Sequence, residues 1–242
     1  MTSARVAVVT GAAGGIGRAL VAECEQRGMR VFTADIAGDP AVDVSMRRDV
    51  DAFAQSVFEQ TDNVDYVFNN AGVMPVALLV DTTDADWARV IGINLLGVVH
   101  VVRAFVPHLR AQTRPAHIVN TASMAGFAAP VGAGCGAYAA TKSAVVSISE
   151  SLAHELQPDG IGVSVVCPSG VATDIFGSNP SMRPPAGLME PAHAAQLILD
   201  GVLAGRFYVF THTDESARAR LFDRWARVER DFVAATERGP QC

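Results

Sequence analysis

Short apolar runs alternate along the chain with longer stretches in which hydrophobic residues recur every three or four positions. The short runs are rich in Val, Ile and Phe and predict strands at Arg5–Val9, Arg30–Ala34, Val64–Phe68, His117–Thr121, Ile161–Cys167 and Arg206–Phe210. The periodic stretches predict helices from Gly15 to Arg27, Asp84 to Arg110, Tyr138 to Leu156, Pro191 to Leu203 and Ala217 to Ala235. The sequence therefore predicts an alternation of strands and helices.

The predicted strands are continuous Val- and Ile-rich runs rather than alternating ones, which is typical of strands buried on both faces of a parallel sheet. Alternating strands and helices indicate right-handed crossovers and an α/β fold. We expect a single doubly wound, Rossmann-like domain over residues 1–242, with a substrate lid at residues 174–190 and a helical extension at residues 212–242. Ligands of such folds bind beyond the carboxyl ends of the strands, so function is expected in the loops there.

One crossover is unusually short. Only seven residues separate Asp35 from Asp43, whereas a parallel crossover takes about 10–12 residues or more. We therefore expect a shortened third strand, a stub around Ala41–Asp43, and a shortened edge of the sheet.

Composition narrows the classes of partner. The 242 residues are 50% hydrophobic and 18% charged, with a formal net charge of −6, which argues against binding of nucleic acid. No apolar stretch reaches the roughly 18 residues that span a bilayer and no targeting signal is expected, so no membrane partner is predicted. The four cysteines and six histidines have no metal-ligand spacing, which predicts free thiols, no metal and a cytoplasmic location.

A glycine-rich segment, Gly11-Ala12-Ala13-Gly14-Gly15-Ile16-Gly17, joins the first strand to the first helix. Gly11, Gly15 and Gly17 allow a tight turn and let a pyrophosphate approach the helix N-terminus closely. The alternative is a turn that only packs the helix against the strand.

Asp35 and Ile36 directly follow the second strand. A carboxylate about 20 residues after the glycines can accept hydrogen bonds from both hydroxyls of an adenosine ribose, and it repels a 2′-phosphate. No Arg or Lys lies between Gly11 and Gly17 to bind such a phosphate. The pattern therefore favours NAD over NADP, with a strand-ending turn as the alternative for Asp35.

Small residues follow the next predicted strand, in the segment Asn69-Asn70-Ala71-Gly72. Asn70, Ala71 and Gly72 allow a close approach of the adenosine ribose, and the asparagine amides can tie neighbouring strands together. The alternative is an ordinary Asn/Gly turn.

Tyr138 and Lys142 are four residues apart and therefore lie on one face of a predicted helix. An ammonium beside a phenol stabilises the phenolate and lowers the tyrosine pKa. Lys142 is the single lysine among 19 basic residues, so chance placement beside a tyrosine is a weak explanation. Ser123 follows the predicted strand His117–Thr121, and its hydroxyl can bind a substrate oxygen. The alternative for the Tyr/Lys pair is an exposed helix surface.

In this order and spacing, the glycine pattern, Asp35, the Asn69–Gly72 segment, Ser123 and Tyr138-x3-Lys142 resemble the classical short-chain dehydrogenase/reductase (SDR) family. The resemblance covers about Val6 to Thr173. It implies hydride transfer between a nicotinamide cofactor and an alcohol or ketone, with Tyr138 as the general acid and base. It also implies that Ser123 holds the substrate oxygen and that Lys142 binds the nicotinamide ribose.

The same resemblance implies roles for residues that match other motifs of the family. It places Asn94 in a proton relay, Asp43 and Val44 at the adenine, and Pro168, Val171 and Thr173 in the loop that holds the nicotinamide. Ser169 departs from the pattern, because the family usually has glycine there. We therefore expect Ser169 to alter the backbone of this loop or its contact with the nicotinamide.

The leading hypothesis is an NAD-dependent oxidoreductase that acts on an apolar secondary alcohol or its ketone, with aromatic and alicyclic compounds as candidates. The residues expected to line the substrate site are mostly apolar: Val73, Met74, Met124, Ala125, Val131, Cys135, Ile175 and Phe176. The alternatives are an NADPH-dependent carbonyl reductase, which Asp35 disfavours, and a dinucleotide-binding sensor without turnover. The resemblance further implies a homodimer or homotetramer.

Overall fold

The computed structural model describes residues 4–128, 134–176 and 187–236, and within these ranges it contains one six-stranded sheet. The strands are β1 (Val6–Thr10), β2 (Arg30–Ala34), β3 (Tyr66–Asn69), β4 (His117–Thr121), β5 (Gly162–Cys167) and β6 (Tyr208–Phe210). Their order across the sheet is β2-β1-β3-β4-β5-β6, and each pairing is parallel. The predicted doubly wound, Rossmann-like fold is confirmed, and its strand order reverses direction between β1 and β3.

Helices cover both faces of this sheet. They are α1 (Gly15–Gln26), α2 (Arg47–Phe58), α3 (Asp84–Ile91), α4 (Gly97–Ala111), α5 (Gly136–Glu155), α6 (Pro191–Leu203) and α7 (Glu215–Thr236). Along β1, Val6 and Val8 pack into the core beneath α2, α4 and α5, whereas Ala7 and Val9 pack into the core beneath α1 and α6. Burial on both faces explains why β1 is apolar from Val6 to Val9.

Apart from the strand stub around Ala41–Asp43, the predicted elements agree with the observed ones to within two residues at each end, and one observed helix is missing from the prediction. That helix is α2, whose buried residues Val50, Ala54 and Val57 recur at helical spacing. The periodic signal was therefore present in the sequence. Six of the twelve residues of α2 are polar, and they interrupt this apolar pattern.

The strand stub expected around Ala41–Asp43 is absent, and β2 forms the edge of the sheet in the described residues. The Val42 N–H donates to the Asp35 carbonyl oxygen at 2.9 Å, so the chain turns back on itself after β2. The connection is too short to carry the chain across and alongside β2 as a further strand.

The predicted helix from Asp84 to Arg110 is observed as α3 and α4, joined without a break by a π-helical turn at Gly92–Leu96. By length and composition, Asp84–Ala111 is the one candidate membrane span in the described part of the chain, with 44% of its apolar window buried. Val101 and Phe105 of this stretch pack into the core over the sheet. A long apolar helix that packs on a sheet can meet the same criteria of length and composition as a membrane-spanning helix.

The two predicted C-terminal features are described to different extents. The helical extension is observed as α7, which docks on the domain through Ala217 at its start. Most of the predicted lid at 174–190, with the predicted substrate-lining residue Val131, lies outside the described residues. Val171 and Met189 form a parallel bridge that fixes the chain on either side of that segment.

Candidate active site

The glycine-rich turn after β1 is packed so closely that side chains would not fit. A Cβ atom at Gly17 would lie 1.9 Å from the Gly11 carbonyl oxygen. Gly15 has a φ of 52°, and a Cβ there would lie 2.9 Å from Cγ2 of Thr173. The turn therefore requires glycine at both positions, and it brings the start of α1 against the loop that follows β5.

The N-terminus of α1 is open to an anion. Gly14 is the N-cap residue and has no side chain to accept from the helix, and the first turn carries no acidic residue. Backbone N–H groups of a first helical turn have no intrahelical partner, and they attract phosphate. The turn therefore fits the pyrophosphate of a dinucleotide.

Asp35 lies beside this turn, as its position after β2 predicted. Its carboxylate accepts hydrogen bonds from the N–H of Ala13 at 2.9 Å and the N–H of Ala37 at 3.0 Å. The same carboxylate lines a cavity of about 430 Å³, which Arg18 also lines. Asp35 thus ties the glycine turn to β2 and faces open space large enough for part of a nucleoside.

The other residues expected near the adenine, Ile36, Asp43 and Val44, are not among the residues that line this cavity. The side chain of Ile36 is 72% exposed. The Asp43 carboxylate accepts from the Ser45 N–H at 2.9 Å and from the Ser45 hydroxyl at 2.7 Å, so it holds the turn before α2. Val44 is buried against Gly97. Asp43 and Val44 therefore stabilise the fold through these contacts, independently of any contact with a cofactor.

Asn70 and Ala71 are held directly beside the glycine turn. The Thr10 hydroxyl accepts from the Asn70 N–H at 3.0 Å and from the Ala71 N–H at 3.1 Å. The Asn70 amide donates to the Thr10 carbonyl oxygen at 3.1 Å. The neighbouring Asn69 amide donates to the Val98 carbonyl oxygen at 3.0 Å, which ties β3 to α4. The expectation that these amides tie neighbouring strands is confirmed, since Asn70 binds Thr10 of β1 and Asn69 donates to Asn120 of β4 at 3.3 Å.

Tyr138, Lys142 and Ser123 come together at the carboxyl edge of the sheet, and each is at most 9% exposed. The Lys142 ammonium lies 5.7 Å from the centre of the Tyr138 ring and donates to the Thr121 carbonyl oxygen at 2.6 Å. The Ser123 hydroxyl donates to the Pro168 carbonyl oxygen at 3.2 Å. The pair is therefore buried within the fold, which excludes the alternative of an exposed helix surface.

Burial moves the pKa values of the phenol and the ammonium in opposite directions. It raises the pKa of Tyr138 to about 12, and a hydrogen bond with Ser123 offsets part of this rise. It lowers the pKa of Lys142 to about 8. The sequence led us to expect a lowered Tyr138 pKa, and this expectation is wrong for the protein alone. The reason is that burial removes the phenolate from water, and this desolvation is the largest cause of the shift.

Asn94 lies in the π-helical turn and is fully buried. Its carboxamide oxygen accepts from the Val73 N–H at 2.8 Å, and its amide group donates to the Val73 carbonyl oxygen at 2.9 Å and to the Thr141 hydroxyl at 3.1 Å. Asn94 therefore connects the segment after β3 to α5. Its partner on α5, Thr141, directly precedes Lys142.

The loop after β5 contacts both the catalytic candidate Ser123 and the glycine turn at the start of α1. Pro168 accepts through its carbonyl oxygen from the Ser123 hydroxyl and, at 2.8 Å, from the Met124 N–H. Thr173, at the far end of the loop, lies against Gly15. Between them, Val171 is 3% exposed. The loop thus lies between the catalytic candidates and the start of α1, where the family resemblance implies that the nicotinamide binds.

Sequence reasoning missed two residues that support the site. Thr10 holds the Asn70–Ala71 segment through its hydroxyl, and Thr121 holds the Lys142 ammonium through its carbonyl oxygen. The position of Thr10 directly before the glycines was a usable signal. The role of Thr121 had no signal, because a backbone carbonyl is present at every residue.

Comparison with known proteins agrees with this geometry. The sequence profile of a family described as short chain dehydrogenase matches residues 40–184, which is more than half of the chain. The chain belongs to the short chain dehydrogenase family. As a member, it is an oxidoreductase that acts on an alcohol or a ketone.

Individual relatives cover most of the chain. A 1-deoxy-11-beta-hydroxypentalenate dehydrogenase from Streptomyces exfoliatus is 37% identical over 248 residues, which span 93% of this chain and 89% of that protein. A fluoren-9-ol dehydrogenase from Terrabacter sp. (strain DBF63) is 32% identical over 71% of this chain and 57% of that protein. Both alignments cover more than two thirds of this chain.

Among solved structures, a short chain dehydrogenase/reductase from Burkholderia phymatum in complex with NAD has a TM-score of 0.83 and 32% identity. The alignment covers 94% of this chain and 95% of that chain. The likeness therefore extends over nearly the whole fold.

Proposed function

We propose that this protein is an NAD-dependent dehydrogenase that oxidises an apolar secondary alcohol, or reduces the corresponding ketone, with Tyr138 as general acid and base. The observation that carries the proposal is the joint burial of Tyr138, Lys142 and Ser123 beside the open N-terminus of α1. A sensor without turnover needs the glycine turn, but it gains nothing from a phenol and an ammonium buried together at the cost of their desolvation.

The cofactor would lie along the carboxyl edge of the sheet. The glycine turn, at Gly11, Gly15, Ile16 and Gly17, would hold the pyrophosphate, and the Asp35 carboxylate would bind the adenosine ribose. The remaining candidates are Ile36, Asp43 and Val44 at the adenine, Asn70, Ala71 and Gly72 at the ribose, and Lys142, Tyr138, Pro168, Val171 and Thr173 at the nicotinamide end. When bound, NAD supplies the carbon that accepts the hydride.

The chain's own groups handle the proton and the substrate oxygen. Tyr138 would take the alcohol proton on its phenol oxygen, and Ser123 would turn its hydroxyl from Pro168 to the substrate oxygen. Lys142, held by the Thr121 carbonyl oxygen, would stabilise the phenolate by its charge. Asn94 would fix the distance between the segment after β3 and α5, and so would support any proton relay that begins at Lys142.

Apolar side chains favour an apolar substrate. Ala125, Cys135, Tyr138 and Ala139 form one buried cluster, and Met74 and Ile175 pack against it. An apolar wall of this kind binds by burial of hydrocarbon surface, and it leaves Tyr138 and Ser123 to orient the single polar group. The names of the two relatives, which act on a hydroxylated pentalenate and on fluoren-9-ol, support cyclic alcohols as the first compounds to assay.

An NADPH-dependent carbonyl reductase is the second candidate, and one observation favours it. Arg18 lines the same cavity as Asp35, and a guanidinium there is a suitable partner for a 2′-phosphate. The Asp35 carboxylate lines that cavity as well and is held at the glycine turn by the Ala13 N–H, so it would repel a 2′-phosphate there. The cytoplasmic location and the homodimer or homotetramer remain predictions from the sequence.

Replacing Asp35 tests this assignment of the cofactor. We expect Asp35→Asn to weaken NADH binding by about tenfold or more, because a charge-assisted hydrogen bond contributes about 1.5–3 kcal/mol. The same change should strengthen NADPH binding, because it removes the charge that repels the 2′-phosphate. Calorimetric titration of both variants with both cofactors measures the two shifts. The single acceptor oxygen of asparagine can keep the bond from the Ala13 N–H and so retain the glycine turn, while the Ala37 N–H loses its acceptor.

Asp39→Asn is the matched control, because Asp39 lines the same cavity without a bond to the glycine turn among the described contacts. It should leave the preference between NADH and NADPH unchanged. An unchanged preference in Asp35→Asn would refute the ribose-binding role of Asp35.

A further inference from the structure

The C-terminal part of the chain reaches the loop that follows β5. In the sheet, Cys167 pairs with Phe210, so β5 and β6 end side by side. The segment that begins at Pro168 and the segment that begins at Thr211 therefore leave the sheet as neighbours. This brings α7, which follows Thr211 by a few residues, close to the candidate nicotinamide site.

His212 holds the backbone of this loop. The Ser169 N–H donates to Nδ1 of His212 at 3.3 Å, and the Thr211 hydroxyl lies 2.8 Å from the same nitrogen. Because the Ser169 N–H is a donor, Nδ1 must be unprotonated for this contact. Burial lowers the pKa of His212, and the nearby Arg220 and His193 act in the same direction, while Asp214 and a hydrogen bond with Gly170 oppose it. The neutral ring that the contact needs is therefore the favoured form at neutral pH.

Two arginines of α7 bind the two loops that meet at Ser123: the loop after β5 and the segment that directly follows Ser123. Arg220 donates through Nη2 to the Ser169 hydroxyl at 3.3 Å. One turn later, Arg224 donates through Nη1 to the carbonyl oxygens of Gly126 and Phe127. The bond from Arg220 depends on the serine hydroxyl, so a glycine at this position would not provide it.

These contacts converge on a catalytic candidate. Pro168, the residue before Ser169, accepts the hydrogen bond of the Ser123 hydroxyl. Gly126, which Arg224 contacts, ends the short turn that begins directly after Ser123. The first turns of α7 are anchored on the domain through Ala217, which is 2% exposed. The helix is therefore fixed at the end from which it contacts the loop.

We propose that Ser169, His212 and Arg220 are positioning residues that hold the loop after β5 in the conformation that binds the nicotinamide half of the cofactor. Through them, the start of α7 controls the affinity for that half and leaves the affinity for the adenosine half unchanged. This inference rests on the proposed function, because it assumes that the loop binds a nicotinamide.

Two ligands separate this role from a general loss of structure. ADP-ribose has the adenosine and pyrophosphate groups and lacks the nicotinamide, so it probes the glycine turn alone. We expect Ser169→Gly and Arg220→Met in the full-length protein each to raise the NADH dissociation constant about fivefold, with no change for ADP-ribose. Both changes remove the same hydrogen bond. The NADH dissociation constant of the double variant should therefore be no higher than that of the single variant with the larger effect.

His212 is tested by a pair of substitutions. His212→Asn keeps an acceptor near the position of Nδ1 and should keep NADH affinity close to wild type. His212→Leu removes the acceptor and should weaken NADH binding, again without an effect on ADP-ribose. Arg227→Met, on α7 and without a hydrogen bond among the described contacts, serves as the matched control and should bind both ligands as the wild type does.

The outcomes distinguish this inference from the function on which it rests. Equal losses of NADH and ADP-ribose affinity, or wild-type NADH affinity in both Ser169→Gly and Arg220→Met, would overturn the positioning role while leaving the proposed function in place. A wild-type protein that binds neither ligand would overturn the proposed function itself, and the inference with it.

Discussion

Tyr138→Phe is expected to abolish turnover while NADH binding stays close to that of the wild type. The substitution removes the only atom of the side chain that can accept the alcohol proton. It keeps the ring that packs with Ala125, Cys135 and Ala139. General acid–base catalysis typically contributes about 10²–10⁴-fold, so we expect a fall in kcat of about a thousandfold. The rate of NADH formation from NAD⁺ and the cyclic alcohol that the wild type oxidises fastest measures the effect.

Tyr66→Phe provides the matched control for this experiment. Tyr66 begins β3, at the amino edge of the sheet, and among the described contacts its hydroxyl accepts one exposed hydrogen bond, from Arg5 at 3.3 Å. This variant should keep wild-type turnover. If Tyr138→Phe retained normal turnover as well, Tyr138 would not be the general base and the proposed mechanism would fail.

Gly17→Ala is expected to remove most of the affinity for the cofactor. The added Cβ would lie 1.9 Å from the Gly11 carbonyl oxygen and 2.7 Å from the Asn70 amide nitrogen. The turn must shift to relieve this overlap, which costs about 1–3 kcal/mol of stability. We expect the dissociation constants of NADH and ADP-ribose both to rise by at least about tenfold. Thermal unfolding and titration of the same preparation measure the two effects.

Gly14→Ala isolates the cause, because it adds the same methyl group three residues earlier. A Cβ at Gly14 would meet nothing within 4 Å, and the φ of −142° suits any residue. This variant should unfold at the wild-type temperature and bind both ligands. Wild-type affinity in Gly17→Ala would contradict the glycine turn as the pyrophosphate site.

Most of the fold could be predicted because its strands and helices carry strong periodic patterns. β1, for example, is apolar from Val6 to Val9, and its burial on both faces follows from that. The strand stub around Ala41–Asp43 could not be judged in the same way. Whether a short apolar segment pairs with a strand depends on the path of the chain, and here Val42 bonds back to Asp35.

The candidate site was predictable where one residue type is tied to one chemistry. Tyr138, Lys142 and Ser123 lie together as their spacing predicted, and their roles stay predictions until they are tested. The direction of the Tyr138 pKa was not predictable, because it depends on how much water the fold removes from the phenol. Ser169 was recognised as a departure, but its contacts with His212 and Arg220 join segments that are far apart in sequence.

The most direct test of the central claim is a calorimetric titration of the wild-type protein with NADH and, separately, with NADPH. It needs no knowledge of the substrate. The account predicts that NADH binds at least about tenfold more tightly, because Asp35 binds the ribose hydroxyls and repels a 2′-phosphate. Tighter binding of NADPH, or no binding of either cofactor, would contradict the account.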